Sequence, residues 1–185
     1  MPNTDLDAIL RLPDKAVWII TARHGQRRGG LAATWVLQSS LDPQRPSLLA
    51  SLSANHYTAE LVAASQAFGA HLMRPDQADL ALRFAIGSGR DRDKLAGLKF
   101  SDGTNGSPLL DDCLARLECQ VTSQQEIGGR IYFWADVIGG EQFRTGPYLT
   151  EQQLLVAASP DQKAALRAGL LADIAAQQAH TTEHL

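Results

Sequence analysis

The stretch GGLAATWVLQSSLDPQRP, residues 29–46, has the length of a strand running into a turn, yet its centre is built from small and hydroxylated residues. Ala32, Ala33 and Thr34 precede a single bulky residue, Trp35, and Ser39 and Ser40 close the run before Asp42 and Pro43 turn the chain. Strands favour β-branched and aromatic side chains because these fill a pleated surface. A track of small ones therefore suggests that something else lies against this backbone.

Outward from this stretch, AVWIITA (16–22), PSLLASLS (46–53) and AFGAHLM (67–73) also read as strands, and YTAELVAASQ (57–66) has its apolar residues at helical spacing. RHGQRRGG (23–30), with three glycines and three arginines, suits an exposed hairpin loop between the first strand and a second spanning 30–40. PDQADLALRFAI (75–86) reads as a helix started by Asp76 and stopped by Gly87. Residues 87–108 form a long polar loop, the kind that is more often functional than idle. CLARLECQVTSQQEI (113–127) and RIYFWADVIGGEQF (130–143) predict a long hairpin turned by Gly128-Gly129. The Ala-, Leu- and Gln-rich tail predicts two helices packed in antiparallel fashion, the second starting at Pro160. Six or seven antiparallel strands with inserted and appended helices fit a small barrel better than a parallel sheet.

Composition limits the function. At 185 residues and 44% hydrophobic, the chain makes one domain with a substantial core, and a net charge of −3 argues against nucleic acid as the main partner. No apolar run approaches the roughly 20 residues that cross a bilayer, and MPNTDLDAILRLPDK lacks the basic-then-apolar order of a leader, so a soluble, cytoplasmic chain is expected. Cys113 and Cys119, placed on one extended segment, stand roughly 20 Å apart at about 3.3 Å per residue, beyond disulfide reach. Two free thiols fit a reducing compartment. Dinucleotide, P-loop, serine-elbow and zinc-helix motifs are missing, and His24, His56, His71, His180 and His184 are scattered without metal-ligand spacing.

Three pieces in fixed order carry a resemblance: Ser40-Leu41-Asp42-Pro43 after the second strand, Asn55 to Thr58 at a helix start, and Gly106-Ser107-Pro108-Leu109-Leu110 running to Leu117-Glu118-Cys119. From about Val17 to Val137 the chain resembles the flavin reductase-like FMN-binding split-barrel family. The resemblance implies a mainly β Greek-key split barrel over residues 1–148, a helical extension over 149–185, and a homodimer binding FMN, or sometimes FAD, near the subunit interface. NAD(P)H is the implied hydride donor, and a second acceptor or a partner monooxygenase the implied sink.

The resemblance lays the flavin ring along Ala33, Thr34, Trp35 and Val36, with Ser39 and Ser40 closing the strand. Ser53, Asn55 and Thr58 would lie near the ribityl-phosphate chain, where Asn55 or Thr58 also suits simple helix capping. Ser88, Arg90 and Lys94 in SGRDRDK are the cationic candidates for the phosphate, although alternating charge also describes a solvated face. Many relatives carry Gly-Asp-His in the turn before the last long strand, where the histidine helps position the nicotinamide. Here Gly128-Gly129-Arg130 stand instead, and Arg130 cannot release a proton at ordinary pH. A flavin-binding protein without reductase turnover therefore stands beside the enzyme.

Overall fold

The computed structural model describes residues 4–182. Helix α1 (Thr4–Leu10) leads into β1 (Trp18–His24), β2 (Arg27–Ala33), β3 (Val36–Gln38) and β4 (Ser47–Ser53), followed by α2 (Tyr57–Ser65) and β5 (Ala67–Leu72). A short 3-10 turn, Pro75–Gln77, precedes α3 (Ala78–Ala85). Strands β6 (Phe100–Asp102) and β7 (Pro108–Leu110) form their own ladder, and β8 (Ala115–Ile127) with β9 (Arg130–Gln142) forms the longest hairpin. Helices α4 (Glu151–Ala157) and α5 (Pro160–Thr182) follow.

The main sheet has seven strands, all paired antiparallel, in the order β2-β1-β5-β8-β9-β4-β3. Within it β5-β8-β9-β4 is a Greek-key order, because three successive strands are joined by the one that precedes them in sequence. Its two edge strands, β2 and β3, are consecutive in the chain and linked only by Thr34 and Trp35. Three Cα steps span at most about 11 Å, whereas the edges of a flat seven-stranded sheet would lie about 29 Å apart. The sheet therefore curls until its edges meet, and residues 34 and 35 sit at the seam of the barrel.

This geometry corrects the expected single strand over 30–40. A continuous strand would stay on one edge, while the observed break carries the chain from one edge to the other. The expected loop over 23–30 is also shorter than predicted, since His24 pairs with Arg27 and only Gly25 and Gln26 turn the chain. Gly128 and Gly129 do turn the long hairpin, at φ of 56° and 72°, the left-handed pair that a two-residue turn requires. Asp76 lies in the 3-10 turn ahead of α3 rather than at its start, and Cys113 lies before β8 rather than in it. The expected loop over 87–108 contains β6 and reaches the first residue of β7, the two strands pairing Phe100 with Leu110 and Asp102 with Pro108.

Side chains alternate across β1 and so feed two cores. Ile20 and Ala22 point into the barrel with Leu31, Leu52, Phe68, Cys119 and Phe133, and α2 closes this core with Leu61 and Val62. Ile19 points outward to a second core with Met73, Leu82, Phe84, Leu95, Cys113 and Leu154. The terminal helices do not form the expected antiparallel pair. Helix α4 packs against α3 and contributes Leu154 to the outer core, whereas α5, after Leu166, runs on across the open side of the barrel. In α5 most of the apolar residues are alanines, which bury little area against a helical partner.

Candidate functional site

Two adjoining cavities of about 280 and 470 Å³ share Leu31, Ala32, His56 and Asp173, and so form one groove. One end lies at the barrel seam, by Ala33, Thr34, Trp35, Ser51, Ser53 and Arg130. The other lies between the start of α2 and the 87–90 loop, with Asn55, Thr58, Gly87, Ser88, Gly89, Arg90 and Lys94 on its wall. Gly30 lines this end too, and a Cβ there would meet the Phe84 ring at 2.6 Å, so the wall tolerates no added bulk.

At the seam, the Trp35 carbonyl accepts from the Ser51 N–H at 2.9 Å, and the Ser51 carbonyl accepts from the Arg130 guanidinium at 2.6 Å. Arg130 also donates to Ser51 Oγ at 2.9 Å and lies 4.1 Å above the Trp35 ring. The Thr34 and Trp35 N–H groups make no hydrogen bond within the described residues. Burial lowers the Arg130 pKa, with Tyr132 and Asp173 opposing it; a guanidinium stays charged regardless. Ser53, 2% exposed, ends β4 with its hydroxyl unpartnered.

At the other end the first N–H groups of α2 have no acceptor within the helix, and its N-cap residue, His56, makes no side-chain cap. The Lys94 amine is buried and donates to the Phe84 carbonyl at 2.7 Å. Burial, and then the nearby Arg92 charge, pull its pKa down to about 8, so it is mostly protonated at neutral pH. Ser88 Oγ accepts from the Arg90 N–H, while the Arg90 side chain reaches the Asn55 carbonyl, ion-pairs with Glu60 and lies over Tyr57. Arg90 is thus engaged with its neighbours, and Lys94 is the buried cation of this end.

The structure brings Ala33, Thr34, Trp35, Ser53, Asn55, Thr58, Ser88, Arg90, Lys94 and Arg130 to one groove. Val36 lines an adjoining hollow with Leu37 and Tyr132. Ser39 and Ser40 lie away from it: Ser39 Oγ bonds Ser47 Oγ at 2.8 Å, and Ser40 Oγ accepts from the Asp42 N–H, so both hold the β3–β4 turn. Sequence reasoning missed His56, Tyr57 and the whole contribution of α5, where Ala165, Gly169, Ala172 and Asp173 face the groove. The small residues at spacings of four and three were the available signal. His184 lies outside the described residues, and among those described no three His, Cys, Asp or Glu side chains converge as a metal site.

A groove with unpartnered amides at one end and a buried ammonium beside a helix N-terminus at the other is built for a long, flat, anionic ligand. The sequence supplies the identity, because the flavin reductase-like domain family matches residues 11–154. The chain belongs to this family. It is 28% identical over 143 residues to diflavin flavoprotein A 1 of Synechocystis, a match covering 75% of this chain but 24% of that protein. The chain thus spans about a quarter of the length of that relative. Among solved structures, the NADH:FAD oxidoreductase of Streptomyces globisporus superposes with a TM-score of 0.71 at 21% identity, covering 80% of this chain and 87% of that one. An FMN-binding protein from Thermus thermophilus gives 0.66 at 23% identity, covering 72% and 74%. The flavin reductase-like chain thus has the antiparallel split barrel expected of its family. Its donor set fits a flavin: the two seam amides, the orphaned Ser53 hydroxyl and the Lys94 ammonium lie along one groove.

Proposed function

We propose that the groove holds FMN, or FAD, and that the chain is an NAD(P)H-dependent flavin reductase or FMN-dependent oxidoreductase. The observation that carries this reading is the order of donors along one groove, neutral amides at the seam and a buried cation at the far end. When bound, the flavin supplies a carrier that takes a hydride from NAD(P)H and passes electrons to a second acceptor, or leaves as reduced flavin for a partner monooxygenase.

The chain's own residues bind and orient. Ala32 and Ala33 admit a flat ring, and the Thr34 and Trp35 N–H groups donate to its polar edge. Ser53, Asn55 and Thr58 serve the sugar-alcohol chain, and Lys94, with Ser88 and the α2 N-terminus, serves the phosphate. Arg90 braces the wall through Glu60 and the Asn55 carbonyl. Arg130, fixed by Ser51 and Trp35, positions the ligand and moves no proton. The two buried free thiols suit a cytoplasmic setting, and no described helix is long and apolar enough to cross a membrane. A second copy of the chain completes the site as a homodimer.

The test is direct. FMN added to the purified protein should give a bound flavin absorption spectrum, and NADH or NADPH should then be oxidised under air faster than in a protein-free control. A second reading, a flavin-binding protein without turnover, is favoured by Arg130 standing where many relatives have a histidine. Bound flavin with no nucleotide oxidation above the control would select it, and no flavin binding would exclude both.

A further inference from the structure

Helix α5 adds a feature that the flavin-binding reading alone does not require. It begins beyond the matched family domain and runs over the groove, with Ala165, Gly169 and Ala172 on its wall. Small residues at these spacings let the helix lie close to the α2 start and the 87–90 loop. Asp173, in the next position, bonds the His56 ring at 3.0 Å at the N-cap of α2. Burial pushes the Asp173 carboxyl up, but the bond and charge of His56, with Asn55 and Ser53, more than offset it and hold it below the usual carboxylate value. Arg130 lies in the same field. The buried Ser53 hydroxyl lies near enough to favour this carboxylate but outside hydrogen-bond geometry.

A carboxylate before a helix N-terminus stands where an anionic ligand would be held. We propose that Asp173 is an internal competitor for the anion subsite: α5 docked through Asp173 and a phosphate-bearing ligand at the start of α2 exclude each other. This rests on the reading of the groove as a flavin site. Asp173 is held at the head of α2, in the same cavity as Lys94 and Ser88, so a phosphate entering there meets a like charge, displaces the carboxylate and loosens α5. The helix is built to yield. It is largely exposed, its contacts include the His56 bond and a 3.4 Å His180–Glu126 pair, and Leu170 and Leu171 remain about half exposed. Asp173 thereby sets a preference between phosphorylated and unphosphorylated ligands, since riboflavin meets no such competition.

The experiment uses the full chain and its Asp173→Asn variant, titrated with FMN and with riboflavin. Amide exchange over residues 160–182 is followed in parallel, with inorganic phosphate as a third probe. We expect Asp173→Asn to bind FMN at least about tenfold more tightly, the worth of one charge-assisted contact, with riboflavin changed less than about twofold on the same scale. In the unmodified chain, FMN and phosphate should speed α5 exchange and riboflavin should not. Unchanged FMN affinity, or α5 exchange unaffected by FMN and phosphate, overturns the proposal. Equal tightening of FMN and riboflavin also overturns it, because α5 would then be a steric cover. If neither flavin binds either protein, the flavin reading falls, while phosphate that still loosens α5 upholds the competition. Should the variant fail to fold, as a melting curve would show, the unmodified chain's exchange response decides alone.

Discussion

His71 is fully buried between two strands, its Nδ1–H donating to the Ile19 carbonyl at 2.8 Å and its Nε2 accepting from the Leu110 N–H at 3.0 Å. Burial lowers its pKa to about 4, so the native ring is neutral where an unfolded histidine would still protonate. The unfolded chain therefore binds more protons between about pH 4 and 6.5, and stability rises with pH across that window. About 3 kcal/mol should be lost between pH 7 and pH 4 from this group alone. Urea melts across that range should show the loss, and His71→Gln should flatten the slope while costing about 2 kcal/mol at pH 7 through the two broken bonds. In the groove the two cations differ in the same residue-by-residue way. Lys94 is buried and aimed along the wall, while Arg90 is spent on Glu60, Tyr57 and the Asn55 carbonyl. Lys94→Ala should weaken FMN binding about tenfold or more and riboflavin binding little, whereas Arg90→Ala should cost FMN less than about threefold. Titration of both ligands against both variants checks this, and equal losses for Arg90 and Lys94 would contradict it.

At the scale of elements, β2 and α3 meet where Gly30 lies under the Phe84 ring, and the same contact forms a wall of the groove. Gly30→Ala should destabilise by about 1–3 kcal/mol through overpacking, and Phe84→Leu added to it should recover part of the loss. The recovery is partial because the Ile20 carbonyl also stands 3.1 Å from the new methyl group. Melting curves of the single and double variants measure it. Most strands of the main sheet were legible in the sequence because each carries a local signal, such as the apolar run of β1, the Gly-Gly turn of β8–β9 or the proline before β4. The three-residue β6 and β7 are too short to carry one. The break at Thr34 and Trp35 was not legible, since a strand that changes sheet edge and one that continues share the same composition. The residues proposed for the site came from the family's motif order, and the structure gathers most of them along one groove. His56 looked like one of several scattered histidines, and only tertiary placement gives it Asp173, 117 positions away. The placement of α5 over the groove was hidden for a related reason: small residues predict close approach to something without saying what.

The whole molecule leaves one face unfinished. On the outer side of the barrel Leu37, Leu49 and Trp134 lie in one register row across β3, β4 and β9, with Tyr132 beside Trp134 at 6.5 Å between ring centroids. Leu37 is 54% exposed and Trp35 47%, so the row runs out to the seam where the groove opens. It also includes β3, an edge strand only three residues long, and short edges resist open-ended pairing while permitting a closed contact. A patch of two indoles, a phenol and two leucines has the aromatic character of interface cores rather than of free surface. Covering it with the same patch of a second copy would make a two-fold contact that brings each partner to the mouth of the other's groove. Light scattering should therefore report a dimer. Leu37→Glu, which sets like charges against each other across the two-fold axis, should give a folded monomer with an unchanged melting profile of the barrel and weakened FMN binding at the seam end. A monomeric unmodified chain that binds FMN as tightly as any dimer would refute the shared site, and a Leu37→Glu variant that remains dimeric would move the interface to another face.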